Sequence, residues 1–265
     1  MKIGVVGCAG RMGQMLVREI AATPGCTVVG GTERVGGAMV GKDIGTVAGL
    51  DPLGIAVVDD PAVLFADADA VIDFTSPDAA ERHAALAAQS ETAYILGTTG
   101  LNPVQQAAVA AAATHTPIVQ APNMSVGVNL LFALVEQVAR TLGEDYDIDV
   151  LEMHHRNKVD APSGTALGLG RAAAAGRGVA LEDVWQKVRD GHTGVRPRGE
   201  IGFATLRGGD VIGDHTVVFA GDGERVELTH KASGRQIYAK GAVRAALWAA
   251  DKQPGLYSMR DVLGL

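Results

Sequence analysis

Apolar residues in the first half of the chain fall in short unbroken runs separated by helical patterns. Lys2-Ile3-Gly4-Val5-Val6 reads as a buried strand. Met12, Met15, Leu16 and Ile20 then recur at spacings of three and four, the signature of one helix face, until Pro24-Gly25 ends the helix. Residues 26–31 and 55–58 read as the second and third strands, and Pro61 opens a short helix. Ala70-Val71-Ile72-Asp73-Phe74 is a further buried strand, and Thr75-Ser76-Pro77 starts the next helix, with proline in its first turn. Residues 94–97 form a strand, Asn102 and Pro103 cap an alanine-rich helix ending near Thr114, and residues 117–121 make a sixth strand. Repeated strand–helix pairs of this length predict an α/β fold with a doubly wound, Rossmann-type parallel sheet.

The second half has a different texture. A long amphipathic helix is expected over residues 126–142, with Val128, Leu131, Phe132, Val135 and Val138 on one face. Residues 148–151 read as a strand, followed by a polar loop and by a helix over the alanine-rich residues 166–175. Residues 176–199 are rich in glycine and arginine and read as a long loop with a short helix near 181–186. Ile201, Phe203 and Thr205 then alternate with small residues, and residues 216–220 and 225–231 flank the turn Gly221-Asp222-Gly223. These features predict a second, α+β domain with a mixed or antiparallel sheet. Helices over 236–250 and 259–263 close the chain. The expected division is residues 1–125 for the first domain, 126–235 for the second, and 236–265 for helices returning to the first.

Composition narrows the function classes. A net charge of -7 argues against general nucleic-acid binding, which needs a basic face. Cys8 and Cys26 have no zinc-ligand spacing, so no metal site is expected, and two isolated cysteines suit a reducing compartment. Cys8 reads as a small packing residue within its turn. No signal peptide is recognisable, and no apolar run approaches the ~18 residues of a membrane span, so a cytoplasmic location is expected.

Candidate chemistry lies in two stretches. Gly7-Cys8-Ala9-Gly10-Arg11-Met12-Gly13 joins the first strand to the first helix, and Glu33 follows the second strand. Strand, glycine turn, helix, strand and acid form the layout of a dinucleotide-binding unit. Gly7 permits the tight turn, Gly10 lets backbone approach a pyrophosphate, and Gly13 lets helix and strand pack closely. Glu33 suits the ribose hydroxyls of NADH, whereas Arg34 beside it suits the 2′-phosphate of NADPH, so both cofactors are expected. The loops Gly97-Thr98-Thr99 and Ala121-Pro122-Asn123-Met124 end later strands and fall on the same ligand-facing edge.

The second stretch reads Glu152-Met153-His154-His155-Arg156-Asn157-Lys158, then Ser163-Gly164-Thr165 before a helix. It gathers cationic and titratable groups at a helix N-terminus, a combination that can hold an anion and deliver a proton. An exposed basic turn would carry the same charges, and Arg156 is read as nothing more than that.

Together with Thr229-His230-Lys231-Ala232-Ser233-Gly234-Arg235, these motifs resemble 4-hydroxy-tetrahydrodipicolinate reductases, also called dihydrodipicolinate reductases, over nearly the whole chain. The resemblance implies hydride transfer from NADH or NADPH to C4 of a small cyclic dicarboxylate, protonation at C3, and a place in lysine and diaminopimelate synthesis. It matches His154 and Lys158 to proton-transfer residues. His155, Ser163, Gly164 and Thr165 match substrate-binding positions, with Arg235 near a second carboxylate. It further implies a homotetramer built through the second domain. Some members carry phenylalanine where Met124 stands and a basic residue where Ser76 stands. Two other readings fit the first half alone: a different two-domain dehydrogenase, for example of amino acids, and a nucleotide sensor without catalysis. His154 and Lys158 together speak against the sensor.

Overall fold

A computed structural model describes residues 1–265. In chain order the first elements are β1 (Lys2–Val6), α1 (Arg11–Ala22), β2 (Thr27–Thr32), α2 (Ile44–Val47), α3 (Pro61–Asp67), β3 (Ala70–Asp73) and α4 (Pro77–Gln89). There follow β4 (Ala93–Leu96), α5 (Pro103–Ala112), β5 (Pro117–Gln120), α6 (Val126–Leu142), β6 (Asp147–His154), α7 (Gly164–Gly176), α8 (Leu181–Val184) and β7 (Trp185–Gln186). The remainder is β8 (Ile201–Arg207), β9 (Gly213–Gly221), β10 (Glu224–Ala232), α9 (Gln236–Ala249), β11 (Gly255–Tyr257) and α10 (Met259–Leu263). The chain divides into two compact units, Met1–Val126 with Gln236–Leu265, and Gly127–Arg235.

The first unit holds a six-stranded sheet in the order β11-β5-β4-β3-β1-β2, all pairs parallel. β3 and β4 are buried at every position, because helices cover both faces of a parallel sheet. Strand order reverses between β1 and β3, so the crevice for a ligand opens outside their carboxyl ends. Local chemistry sets the helix starts. Asp60 caps α3 by accepting from the Ala62 N–H, and Asn102 and Gln105 form a capping box on α5. α9 packs so closely that a Cβ on Gly241 would lie 1.7 Å from the Met124 carbonyl oxygen.

Two expectations fail here. Residues 55–58 are not a sheet strand; they make isolated bridges at Thr32–Val58 and Asp43–Ala56. The Asp43 carboxylate accepts from the N–H groups of Leu53, Gly54 and Ile55, and the 41–44 loop pairs with Val57 and Ile55. The segment's polar groups are therefore satisfied without joining the ladder. The sixth strand is instead β11, three residues on the edge beside β5. So short an element shows no periodicity.

The second unit is built on a five-stranded sheet in the order β10-β9-β6-β8-β7. It is mixed: β6–β8 and β7–β8 are parallel, while β6–β9 and β9–β10 are antiparallel. The β9–β10 hairpin closes at Gly221–Glu224, with Gly223 in the left-handed region at φ +85°. One face of the sheet carries Ile148, Val150, Val217 and Phe219, which join Leu131 and Val135 of α6 and Leu169 and Ala173 of α7 in a core. The other face exposes Leu151 and Leu206. Arg189 and Arg196 bind Asp149 and so pin the 187–200 loop against the start of β6.

β6 runs farther than expected, through Glu152 and His154. α7 starts at Gly164, with Ser163 as its cap, two residues earlier than the alanine run suggests. The expectation that no run approaches a membrane span also needs correction, since Val126–Asp145 is long and apolar enough by composition. That stretch nevertheless carries Asn129, Glu136 and Arg140 and contributes Leu131, Val135 and Ala139 to the core of its unit.

Candidate active site

In the first unit the glycine turn follows β1. Gly7 has φ +68°, a conformation that favours glycine, and Gly10 is the cap of α1. A Cβ on Gly13 would stand 2.1 Å from the Gly7 carbonyl oxygen, so only glycine lets α1 lie against the turn. Glu33, just past β2, accepts the Ala9 N–H through Oε1 at 2.9 Å. This bond ties the acid to the turn and leaves Oε2 outside it. A cavity of about 700 Å³ adjoins these groups, lined by Gly7, Gly10, Glu33, Arg34, Ser76 and Arg82 among others. A glycine cradle, an acid bonded to it and a concave space of this size fit a dinucleotide. Thr98, Thr99, Ala121 and Pro122 line a second cavity of about 320 Å³.

The remaining nucleotide candidates are placed differently. Cys8, Gly13 and Met124 are buried, so their side positions face the core and any ligand contact runs through backbone. Burial pushes the Cys8 thiol up to about 12, which suits a packing residue and excludes a nucleophile. Arg11 is exposed at the start of α1, and Met12, Gly97 and Asn123 are half-buried.

Below the loops that follow β3 and β4 lies Asp73, which is fully buried. It accepts from the Thr75 N–H and Oγ1, both at 2.7 Å, from Tyr94 Oη at 2.6 Å and from Thr98 Oγ1 at 3.2 Å. His83 Nδ1 stands 2.7 Å away. Burial pushes this carboxyl up, but the His83 and hydroxyl contacts outweigh it, and the group sits below its ordinary range.

In the second unit the strand period of two puts Glu152 and His154 on the core side of β6, in line with Ile148 and Val150. His154 Nδ1 lies 2.6 Å from Glu152 Oε2. Arg207, opposite His154 on β8, donates to both oxygens of Glu152 at 2.8 and 2.9 Å. The Ser163 N–H donates to Glu152 Oε1 at 3.0 Å. Ser163 Oγ accepts from the Ala166 N–H and contacts His215 Nε2 at 3.0 Å. The His154 and His215 rings meet edge to face, with centroids 5.1 Å apart. Where β6 passes into its loop, the His155 N–H donates to the Val211 carbonyl and Lys158 Nζ pairs with Asp160 at 2.8 Å.

Electrostatics at this end of the sheet follow from burial among cations. Burial lowers His154 below its ordinary value, Glu152 pulls it back up, and Lys158 and Arg207 add to the lowering. Burial, reinforced by His154, pushes His215 down to about 4. For Glu152 burial acts upward, but Arg207 and His154 outweigh it and keep it a carboxylate. The Nδ1 atoms of His155, His215 and His230 are buried without a partner, so three imidazoles retain unused hydrogen-bonding capacity. Together with the positive end of α7 at Ser163, the arrangement can hold an anion and exchange a proton with it. Arg235 is half-buried and makes no ion pair, and Arg156 is exposed.

Comparison with known proteins decides the family. The chain matches the model described as dihydrodipicolinate reductase, N-terminus, over residues 1–124, and the one described as dihydrodipicolinate reductase, C-terminus, over 127–263. The chain belongs to the dihydrodipicolinate reductase family. It is 57% identical to 4-hydroxy-tetrahydrodipicolinate reductase 1 of Mesorhizobium japonicum, covering 100% of this chain and 97% of that one. The Rhizobium rhizogenes enzyme is 58% identical over the same shares. In fold, the chain is similar to dipicolinate-bound dihydrodipicolinate reductase from Paenisporosarcina sp. TG-14, with a TM-score of 0.78 and 22% identity over 97% of each chain.

Within this family frame, three residues beside His154 escaped the sequence reading. Glu152 opened the motif but was counted as loop, although an acid two residues before a histidine at the end of a strand signals a same-face pair. Arg207 and His215 reach His154 from β8 and β9. Nothing in their local sequence marks them.

Proposed function

We propose that the protein catalyses NADH- or NADPH-dependent reduction of 4-hydroxy-tetrahydrodipicolinate to tetrahydrodipicolinate, a step of lysine and diaminopimelate synthesis. The observation that carries this reading is full-length identity of 57% to a reductase of that name. The nucleotide is held in the first unit by the Gly7–Gly13 turn, Glu33 and Arg34. When bound, the reduced nicotinamide supplies the hydride that reaches C4 of the substrate.

The chain's own residues do the rest from the second unit. Ser163, Gly164 and Thr165 at the start of α7, with His155, bind a substrate carboxylate, and Arg235 reaches toward the second. Once the 4-hydroxyl has left as water, hydride addition to the resulting double bond conjugated with an imine leaves an enamine-like anion, and His154 or Lys158 delivers the proton that quenches it at C3. Because His154 is neutral-leaning in the free protein, the two negative charges of the substrate favour its protonated form at the moment it is needed. Lys158 exchanges Asp160 for substrate. The reaction is cytoplasmic, and the active species is a homotetramer joined through the open face of the second unit's sheet.

Initial rates with freshly generated substrate test the reading directly. Oxidation of NADH or NADPH dependent on that substrate is expected. Binding of nucleotide without turnover, or turnover with an amino acid instead, would replace it with a sensor or another dehydrogenase. Sedimentation at micromolar concentration reads the assembly, and a monomer would remove the tetramer.

A further inference from the structure

The buried polar cluster at the end of β6 has a centre, and that centre is Glu152. Its side chain is 1% exposed, on the face of the strand that otherwise supplies Ile148 and Val150 to the core. A carboxylate in such a place costs several kcal/mol unless its lone pairs are filled. They are filled by five donors from four residues: His154 on the same strand, both terminal nitrogens of Arg207 and, at 3.4 Å, the Thr205 hydroxyl on β8, and the backbone of Ser163 at the cap of α7. Arg207 also donates to the Asp160 carbonyl at 2.6 Å and so holds the far end of the loop that carries Lys158.

We propose that Glu152 is the positioning residue of this site: clamped by Arg207, it fixes the tautomer and orientation of His154 and ties that ring to the helix cap that receives the substrate carboxylate. The proposal rests on the reading of His154 as a proton donor. A carboxylate only accepts, so the proton of His154 that faces it sits on Nδ1. Nε2 is thereby the nitrogen that gains and loses the working proton. It lies on the side of Gly213, where the nearest position for a Cβ is 3.0 Å away and glycine leaves the space open. The same carboxylate contacts the Ser163 N–H, so the acid and the anion cradle share one anchor and keep their spacing.

The charged and titratable groups facing His154 are Glu152 on its own strand, Arg207 on β8, His215 on β9 and Lys158 on the following loop, with His230 on β10 behind His215. Of these charges, Lys158 and Arg207 disfavour a second proton on the ring and Glu152 favours it. Glu152 is therefore the group that favours the protonated form of His154 against burial and the neighbouring cations.

The test uses the full chain and three variants. Glu152→Gln keeps the shape and removes the charge. The expected result is a fall in kcat of at least about 10-fold with substrate KM changed less than about threefold, as for other histidines that lose an orienting carboxylate. The alkaline limb of the kcat profile, where protonated His154 is lost, should move to lower pH by about one unit or more. A purely structural role would lower activity without moving that limb. If Glu152→Gln does not fold, the pair Glu152→Leu with Arg207→Met replaces both ions by apolar groups, an exchange buried ion pairs often tolerate. It should show the same kinetic defect. Imidazole ¹⁵N spectra of the parent, with the His154 signals identified by their loss in His154→Gln, should show the Nδ1-protonated tautomer above its titration. In the apolar pair that preference should disappear. A folded variant with kcat within twofold of the parent and an unmoved limb would overturn the proposal, as would a parent spectrum with the proton on Nε2. Parent-like turnover in His154→Gln is a different failure. It would remove the proton-donor reading and leave the tautomer lock to be judged by the spectra alone.

Discussion

Each unit of this protein contains one buried carboxylate–histidine pair, and the two differ in what surrounds them. In the first unit His83 Nδ1 stands 2.7 Å from Asp73, and in the second His154 Nδ1 stands 2.6 Å from Glu152. Both carboxylates are held ionised against burial by their neighbours. Asp73 is completed by the hydroxyls of Thr75, Tyr94 and Thr98, which saturate it and knit the ends of β3 and β4 together. Glu152 is completed by a guanidinium, a backbone N–H, one long contact from the Thr205 hydroxyl and an imidazole whose second nitrogen has no carboxylate or hydroxyl assigned to it. A pair saturated by hydroxyls is a brace for loops. A pair set among cations, with histidines whose nitrogens lack partners, is suited to binding an anion and moving a proton. The geometry of the pair is the same, and its surroundings decide its use.

The sharpest way to break the comparison is to remove each histidine. His154→Gln should lower kcat by roughly 10²–10⁴-fold, the contribution of a general acid, while urea unfolding stays close to the parent. His83→Gln should do the reverse, with kcat within about 10-fold and a clear loss of stability. Equal kinetic losses would mean that both pairs serve the chemistry. Next in size, Asp73→Asn should cost about 3–5 kcal/mol in urea unfolding, because it strips the charge from a buried network built to receive donors. A loss below about 1 kcal/mol would deny Asp73 its bracing role.

A pH titration sharpens the comparison further. His215 has its folded pKa depressed from 6.5 to about 4, so the unfolded chain binds the proton more readily between those values. Its contribution is fully present above about pH 6.5 and is lost as pH falls toward 4, worth on the order of 3 kcal/mol over the window. His230 and His154, also lowered by burial, act in the same direction. Stability measured by denaturant at pH 7 and pH 5 should therefore fall with acid, and His215→Gln should flatten the slope. A slope unchanged in that variant would place the acid sensitivity elsewhere. The smallest effect is expected for Gly213→Ala. Its Cβ would sit 3.0 Å from His154 Nε2, a contact relieved by a small ring shift. A kcat reduction of a few fold with parental stability is expected, and no change at all would show that the ring has room to spare.

Much of the architecture was legible in the chain because it is local. Continuous apolar runs marked β1, β3, β4 and β5, and Asn102-Pro103 and Asp222-Gly223 marked a helix start and a hairpin. The glycine turn, Glu33 and the basic loop were legible for the same reason, since each concentrates its chemistry within a few neighbouring residues. Residues 55–58 misled because an apolar quartet satisfies its polar groups as well against a loop as in a sheet. β11 was invisible because three residues carry no period.

The sequence by itself therefore determined the two textures of sheet, the nucleotide turn and the identity of the cationic loop, all of which depend on spacing along one segment. Tertiary structure alone decided that β6 extends through His154, and that Arg207 from β8 and His215 from β9 converge on it. It likewise decided that Asp73 gathers Tyr94 and Thr98 from β4 and the loop after it. Partners so far apart in sequence meet only through strand register and burial. The same burial makes a lone carboxylate costly enough to require them.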